Sequence, residues 1–200
     1  RTTLEQYAAT LDVPPAQLAA WSKPEQLAFW INAYNALVLK LVADKYPIKA
    51  VSKDYPANSI RQIPGSFDQL KFRVAGQSLT LDEIEKTMIV PLGDARALLA
   101  LGRGAIGSGR LRSETYRAAV LEEQLEQAVK EFVSRTACFK VDRAQNVVTV
   151  SPMFGWRQDA FTASFAKAGE RWVNRSAIEQ ALLGMAAPKM FPSEREFLLQ

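Results

Sequence analysis

The stretch SKPEQLAFWINAYNALVLKLVADKYP, residues 22–47, restricts the fold more than any other. Ser22 can cap, Pro24 suits a first turn, and Glu25 stands three residues after the cap, the pattern of a capping box. Leu27, Trp30, Ile31, Tyr34, Leu37, Val38 and Leu41 then recur at helical spacing, and Phe29 and Leu39 extend the apolar surface to another side. Gln26, Ala33, Lys40 and Asp44 leave only a narrow solvent stripe. A helix apolar nearly all round must be enclosed by other elements. The segment therefore predicts a central core helix, ended by Pro47.

The rest of the chain has to cover that helix. Residues 2–11 predict a short amphipathic helix with Leu4, Tyr7, Ala8 and Leu11 on one face, broken by the Pro14-Pro15 pair. KFRVAGQSLT, residues 71–80, predicts a hairpin turning around Ala75-Gly76-Gln77. Thr80 and Glu83 form a second capping box at the head of LDEIEKTMI. RALLAL, residues 96–101, is a buried-strand candidate, although Ala and Leu suit a helix equally. Leu121, Leu125, Ala128, Val129 and Phe132 define a helix over 113–135. ACFKVDRAQNVVTVS, residues 137–151, predicts a second hairpin turning near Arg143 to Asn146. Ser151-Pro152 opens a further helix, and helical patterns follow over 157–168 and 176–183, the last closed by Gly184. At 200 residues this predicts one globular domain over 1–200. Its class is α+β: helix-rich, with a buried central helix and a small sheet made from two hairpins plus a buried strand.

Composition removes whole classes of chemistry. The chain has no histidine, and Cys138 is its single cysteine. Ser-His-Asp and Cys-His catalysis in their usual forms are excluded, as are the common zinc sites. No metal or other cofactor is expected. Net charge is +4, from 25 basic and 21 acidic side chains, a mild excess that implies neither nucleic-acid nor membrane binding, and no nucleic-acid partner is expected. No stretch approaches the length of a membrane span. The chain begins at Arg1 and not at Met, which fits a processed or truncated protein.

LGRGAIGSGRLRSE, residues 101–114, holds a G-x-G-x-x-G at Gly102, Gly104 and Gly107. A dinucleotide turn needs a helix starting inside the motif and an acidic residue ending a second strand about 20 positions on. Here Gly109, Arg110 and Leu111 intervene before any helix, and Glu122 and Glu123 fall inside one, so the context of a dinucleotide site fails. A backbone freed by glycine can still form an anion nest, with Arg103, Arg110 and Arg112 supplying charge and Ser108 a hydroxyl. The opposing reading is a mobile surface loop with solvated arginines. On the central helix, at least one of Asn32 and Asn35 must be buried and will either pin a loop or line a pocket. Asp82, Glu85 and Lys86 are acid/base candidates that serve equally as first-turn cap and dipole partners. Cys138 reads as a small core residue.

FWINAYNALVLKLV, FRVAGQSLTLDEIEK, LEEQLEQAVKEF and VVTVSPMFGW, in this order and spacing, resemble the family called domain of unknown function 547, over roughly residues 4–165. The resemblance implies bacterial exported proteins, and hence a periplasmic or otherwise exported location. It implies no established activity. Many members carry His where Lys86 stands and a second His where Leu98 stands. Aligned by that segment, Arg103 and Ser108 occupy two cysteine positions of relatives. The resemblance thus implies that Asn35, Lys86 and the glycine loop converge, with cations where thiol and imidazole stood.

The leading expectation is a non-catalytic envelope domain. It binds an anionic small molecule or a protein partner through Asn35, Lys86, Arg103, Ser108 and Arg110. The first alternative is a hydrolase or acyl transferase with a Ser/Lys/Glu site, drawn from Ser108, Lys86 and Glu85. The second is a purely structural interaction domain using the exposed face of helix 113–135.

Overall fold

The central helix forms where its pattern predicts, but Ala33, expected on the solvent stripe, is fully enclosed and Leu39 is 43% exposed. The computed structural model describes residues 2–169 and 172–198. They fall into two compact units, one of residues 1–92, 101–105 and 111–121, the other of residues 93–100, 106–110 and 122–200. The segment 101–121 therefore contributes to both units in turn.

In the first unit, α1 (Thr2–Thr10) and α2 (Pro15–Ala19) precede α3 (Lys23–Lys45). The Ser22 N–H donates to the Glu25 carboxylate at 2.8 Å, as the capping box predicts. Ile31, Ala33 and Tyr34 of α3 are fully enclosed, and α1 packs on this helix. β1 (Phe72–Val74) pairs antiparallel with β2 (Gln77–Leu79). Both residues of the connecting turn have positive φ, 50° at Ala75 and 71° at Gly76, which matches the twist of a two-residue hairpin. Ala75 is held there by its N–H bond to the Leu11 carbonyl, 2.9 Å. α4 (Leu81–Glu83) starts at the Thr80–Glu83 box, and the chain continues as a π-helical turn over Ile84–Ile89.

The second unit starts with α5 (Arg96–Leu99), most of α6 (Leu121–Ser134) and the hairpin of β3 (Phe139–Asp142) and β4 (Val147–Val150). α7 (Met153–Trp156), α8 (Gln158–Phe165), α9 (Ala177–Ala186) and α10 (Pro192–Leu198) follow. Phe154 joins its core edge-on to Phe132 at 5.6 Å and to Phe161 at 4.7 Å.

The α+β class holds, with local departures. Residues 96–99 are helix, not the expected buried strand: Ala and Leu are strong helix formers, and the run contains no β-branched residue. The hairpins accordingly stay separate two-stranded sheets. The helix expected from 113 begins at Leu121, after a 3₁₀ turn at Ala118–Val120. Its predicted start is blocked because the Tyr116 N–H and C=O are both bonded to the Asn32 carboxamide, at 2.9 and 2.8 Å. α9 runs through Gly184 to Ala186, since burial of Leu182, Leu183, Met185 and Ala186 outweighs the weak propensity of one glycine.

Candidate functional site

The segment 101–110 is largely irregular; core side chains bond its backbone in both halves, but only the first half also buries a charged side chain of its own. In the first half, within the first unit, side chains of the core reach the loop. The Gly102 N–H donates to Asn35 Oδ1 at 2.8 Å, and Asn35 itself is buried on α3. A Cβ at Gly102 would stand 2.9 Å from Leu111 Cδ2, so a larger residue there would have to displace the end of the Leu111 side chain. Gly104, with φ +64°, turns the chain outward.

Arg103 points inward. Its Nη2 lies 2.6 Å from Glu85 Oε2, with side-chain exposures of 10% and 3%. Its guanidinium also lies 5.9 Å from the centre of the Tyr34 ring. Glu85 sits on the π-helical turn, a local widening often found at functional positions. Arg103 and Glu85 neutralise each other, and neither charge could stay buried without its partner. The pair binds loop to helix, and it engages the Arg103 cation with the protein's own carboxylate.

In the second half, within the second unit, the backbone carbonyls are held, while the side chains of Ile106 and Arg110 stay exposed. The Arg135 guanidinium donates to the carbonyls of Ser108, at 2.8 Å, and Ile106. Ser151 Oγ donates to the Gly107 carbonyl at 2.7 Å. The Cys138 thiol lies 3.7 Å from the Ile106 carbonyl. Burial pushes the Cys138 thiol above its ordinary range, with Glu131 adding to the effect and Arg135 opposing it, so the sulfur stays protonated near neutral pH. Ser108 is buried, its hydroxyl donating to the Gly109 carbonyl at 3.3 Å. By contrast Ile106 is 79% exposed. The Arg110 side chain is 69% exposed and only 3.6 Å from Glu131, a loose contact.

Of the five residues named from sequence, Asn35 and Arg103 both lie in the first unit, one bonded to the Gly102 amide and the other paired with Glu85. Lys86 is on the same π-helical turn as Glu85, but it is exposed and paired with Asp82 at 2.8 Å, one helical turn back. Ser108 and Arg110 belong to the second unit, beside Arg135 and Glu131. Sequence reasoning missed Arg135, which lies in no motif, and read Ser151 only as a helix opener; both act through loop backbone carbonyls. It also missed a charge network around Arg96. That guanidinium contacts Asp94 at 2.7 Å, Glu122 at 2.6 Å and Glu126 at 2.8 Å, and Lys189 also reaches Glu126. Hydrogen bonding from Arg96 depresses the Glu122 carboxyl, and bonding from Lys189 and then Arg96 depresses that of Glu126.

These features define a helix-rich α+β protein organised around a capped, buried helix and a tethered glycine loop. The chain belongs to the family described as a protein of unknown function, DUF547, whose match covers residues 18–133. That match takes in α3, the first hairpin, the π-helical turn and the whole glycine loop. No curated protein and no solved structure matches the chain.

Proposed function

We propose that this chain is a non-catalytic binding domain that presents residues 106–110 to a protein partner bearing an acidic group beside apolar surface. One observation carries the reading: Arg135 and Ser151 hold the loop carbonyls while Ile106 and Arg110 point outward. A loop fixed in this way loses little further entropy on binding. Arginine is enriched among the residues that anchor interfaces, and Ile106 adds exposed apolar area beside it. Groups that could do chemistry are otherwise engaged: Glu85 with Arg103, Lys86 with Asp82, Cys138 as a buried thiol. Arg103 is buried against Glu85, whereas Arg110 is exposed and only loosely paired with Glu131 at 3.6 Å, so its guanidinium can turn to an outside anion. An exported setting, implied by the family resemblance, is part of the same proposal.

A photo-crosslinker at Ile106 tests it, with the same group at the equally exposed Phe191 as control. The proposal expects a discrete protein adduct from position 106 in the native cell, absent from position 191 and lost on Arg110→Glu. The same adducts from both positions, or an adduct indifferent to Arg110→Glu, would overturn it.

A further inference from the structure

The sequence between Lys45 and Lys53, KYPIKAVSK, has three lysines and no acidic residue, in a chain whose net charge is only +4. All three lysines are exposed, and none is in an ion pair among the described residues. The neighbouring carboxylates are engaged elsewhere, Asp44 with Lys40 and Asp54 with the Ser52 hydroxyl at 3.0 Å. Tyr46 and Val51, between the lysines, are each 71% exposed.

This segment is not a loose tether. Gln62, 2% exposed, accepts from the N–H groups of Val51 and Ser52 at 2.7 and 2.8 Å. Its amide nitrogen donates to the carbonyls of Ser52 and Tyr55, both at 2.8 Å. One buried carboxamide thus fixes the loop and keeps Val51 turned outward. The loop itself lines an open cleft of about 310 Å³, walled by Pro47, Ile48, Ile63, Pro64 and Leu70 with Lys45, Lys49 and Val51.

We infer that the 45–53 loop docks on the surface of an anionic lipid bilayer. The lysines meet the headgroup phosphates, and Tyr46, Val51 and the aliphatic cleft meet the acyl boundary. Exposed apolar side chains interleaved with cations are what an interfacial segment requires. A nucleic acid would use the cations and leave Val51 and the aliphatic walls without a partner. This surface lies in the first unit and does not depend on the 106–110 reading.

The test is flotation of the full 200-residue chain with phosphatidylcholine vesicles, with and without phosphatidylglycerol. Binding is expected only with phosphatidylglycerol, and inorganic phosphate should not compete. Each lysine near an anionic surface contributes about fivefold, so Lys45→Gln/Lys49→Gln/Lys53→Gln should lose about a hundredfold. A matched variant, Lys130→Gln/Lys140→Gln/Lys167→Gln, should bind as the wild type does, and Val51→Ser should bind more weakly. Unchanged urea midpoints in all three would show that the fold is intact. Equal binding to pure phosphatidylcholine, equal loss in the matched variant, or release by inorganic phosphate would overturn the inference. So would tight binding of a labelled oligonucleotide with none to vesicles.

Discussion

Residues 101–105 and 106–110 are adjacent stretches of one glycine-rich loop, held differently. In the first, the loop gives its side chain to the protein: Arg103 is buried against Glu85. In the second, the loop gives its backbone to the protein: the carbonyls of Ile106, Gly107 and Ser108 are bonded, and Ile106 and Arg110 face solvent. The lesson is that arginine count says little about anion binding. What matters is whether a side chain or a carbonyl satisfies the fold, because whichever does is no longer offered outside.

This contrast can be broken by mutation. The largest effect should come from Arg103→Met, which strands the buried Glu85 carboxylate and should cost about 3–5 kcal/mol in urea unfolding. Glu85→Leu combined with Arg103→Met should recover much of that loss, since it removes both charges. In the outward half, Arg110→Ala should change stability by less than about 0.5 kcal/mol. Comparable losses at Arg103 and Arg110 would erase the distinction.

Next, Arg135→Met removes a charged donor from two loop carbonyls and should cost about 1.5–3 kcal/mol. Hydrogen exchange should report loosening at 106–110 first. Asn35→Leu leaves the Gly102 N–H without its acceptor and should cost about 1–3 kcal/mol, with faster exchange at that amide. A neutral result would mean that water replaces the carboxamide.

The smallest effect concerns pH. The carboxyls of Glu122 and Glu126 are depressed in the folded state, by Arg96 and by Lys189 with Arg96 respectively. The unfolded chain therefore binds protons more readily. The contribution is complete above the ordinary carboxylate range and is lost as pH falls from there through the lower, folded-state values. Arg96→Met should flatten the acid limb of the stability–pH curve while leaving the alkaline limb unchanged. Because both carboxylates are substantially solvated, the change should be modest.

What the sequence made legible was local. The capping boxes at Ser22 and Thr80 and both hairpin turns depend on residues a few positions apart, and each formed as read. The asparagines of α3 were also readable, because a carboxamide on an enclosed helix must find a partner. Which partner was not readable: Asn32 reaches Tyr116 across 84 positions, and that bond delays the start of α6. Glu85 and Arg103 each stood out by chemistry, but nothing local announced that they would pair with each other. Arg135 gave no signal, since a guanidinium bonding to backbone imposes no pattern on the residues it meets. Residues 96–99 show the limit of periodicity, where a short apolar run is equally compatible with strand and helix.

Backbone relaxation by NMR at Ile106, Gly107, Ser108, Gly109 and Arg110 tests most directly whether this loop is built to present side chains. A tethered loop predicts order parameters of about 0.85, matching α3, which drop on Arg135→Met while those of α3 stay unchanged. Values below about 0.6 in the wild type would instead describe a mobile loop with solvated arginines, and would contradict the preorganised binding surface proposed here.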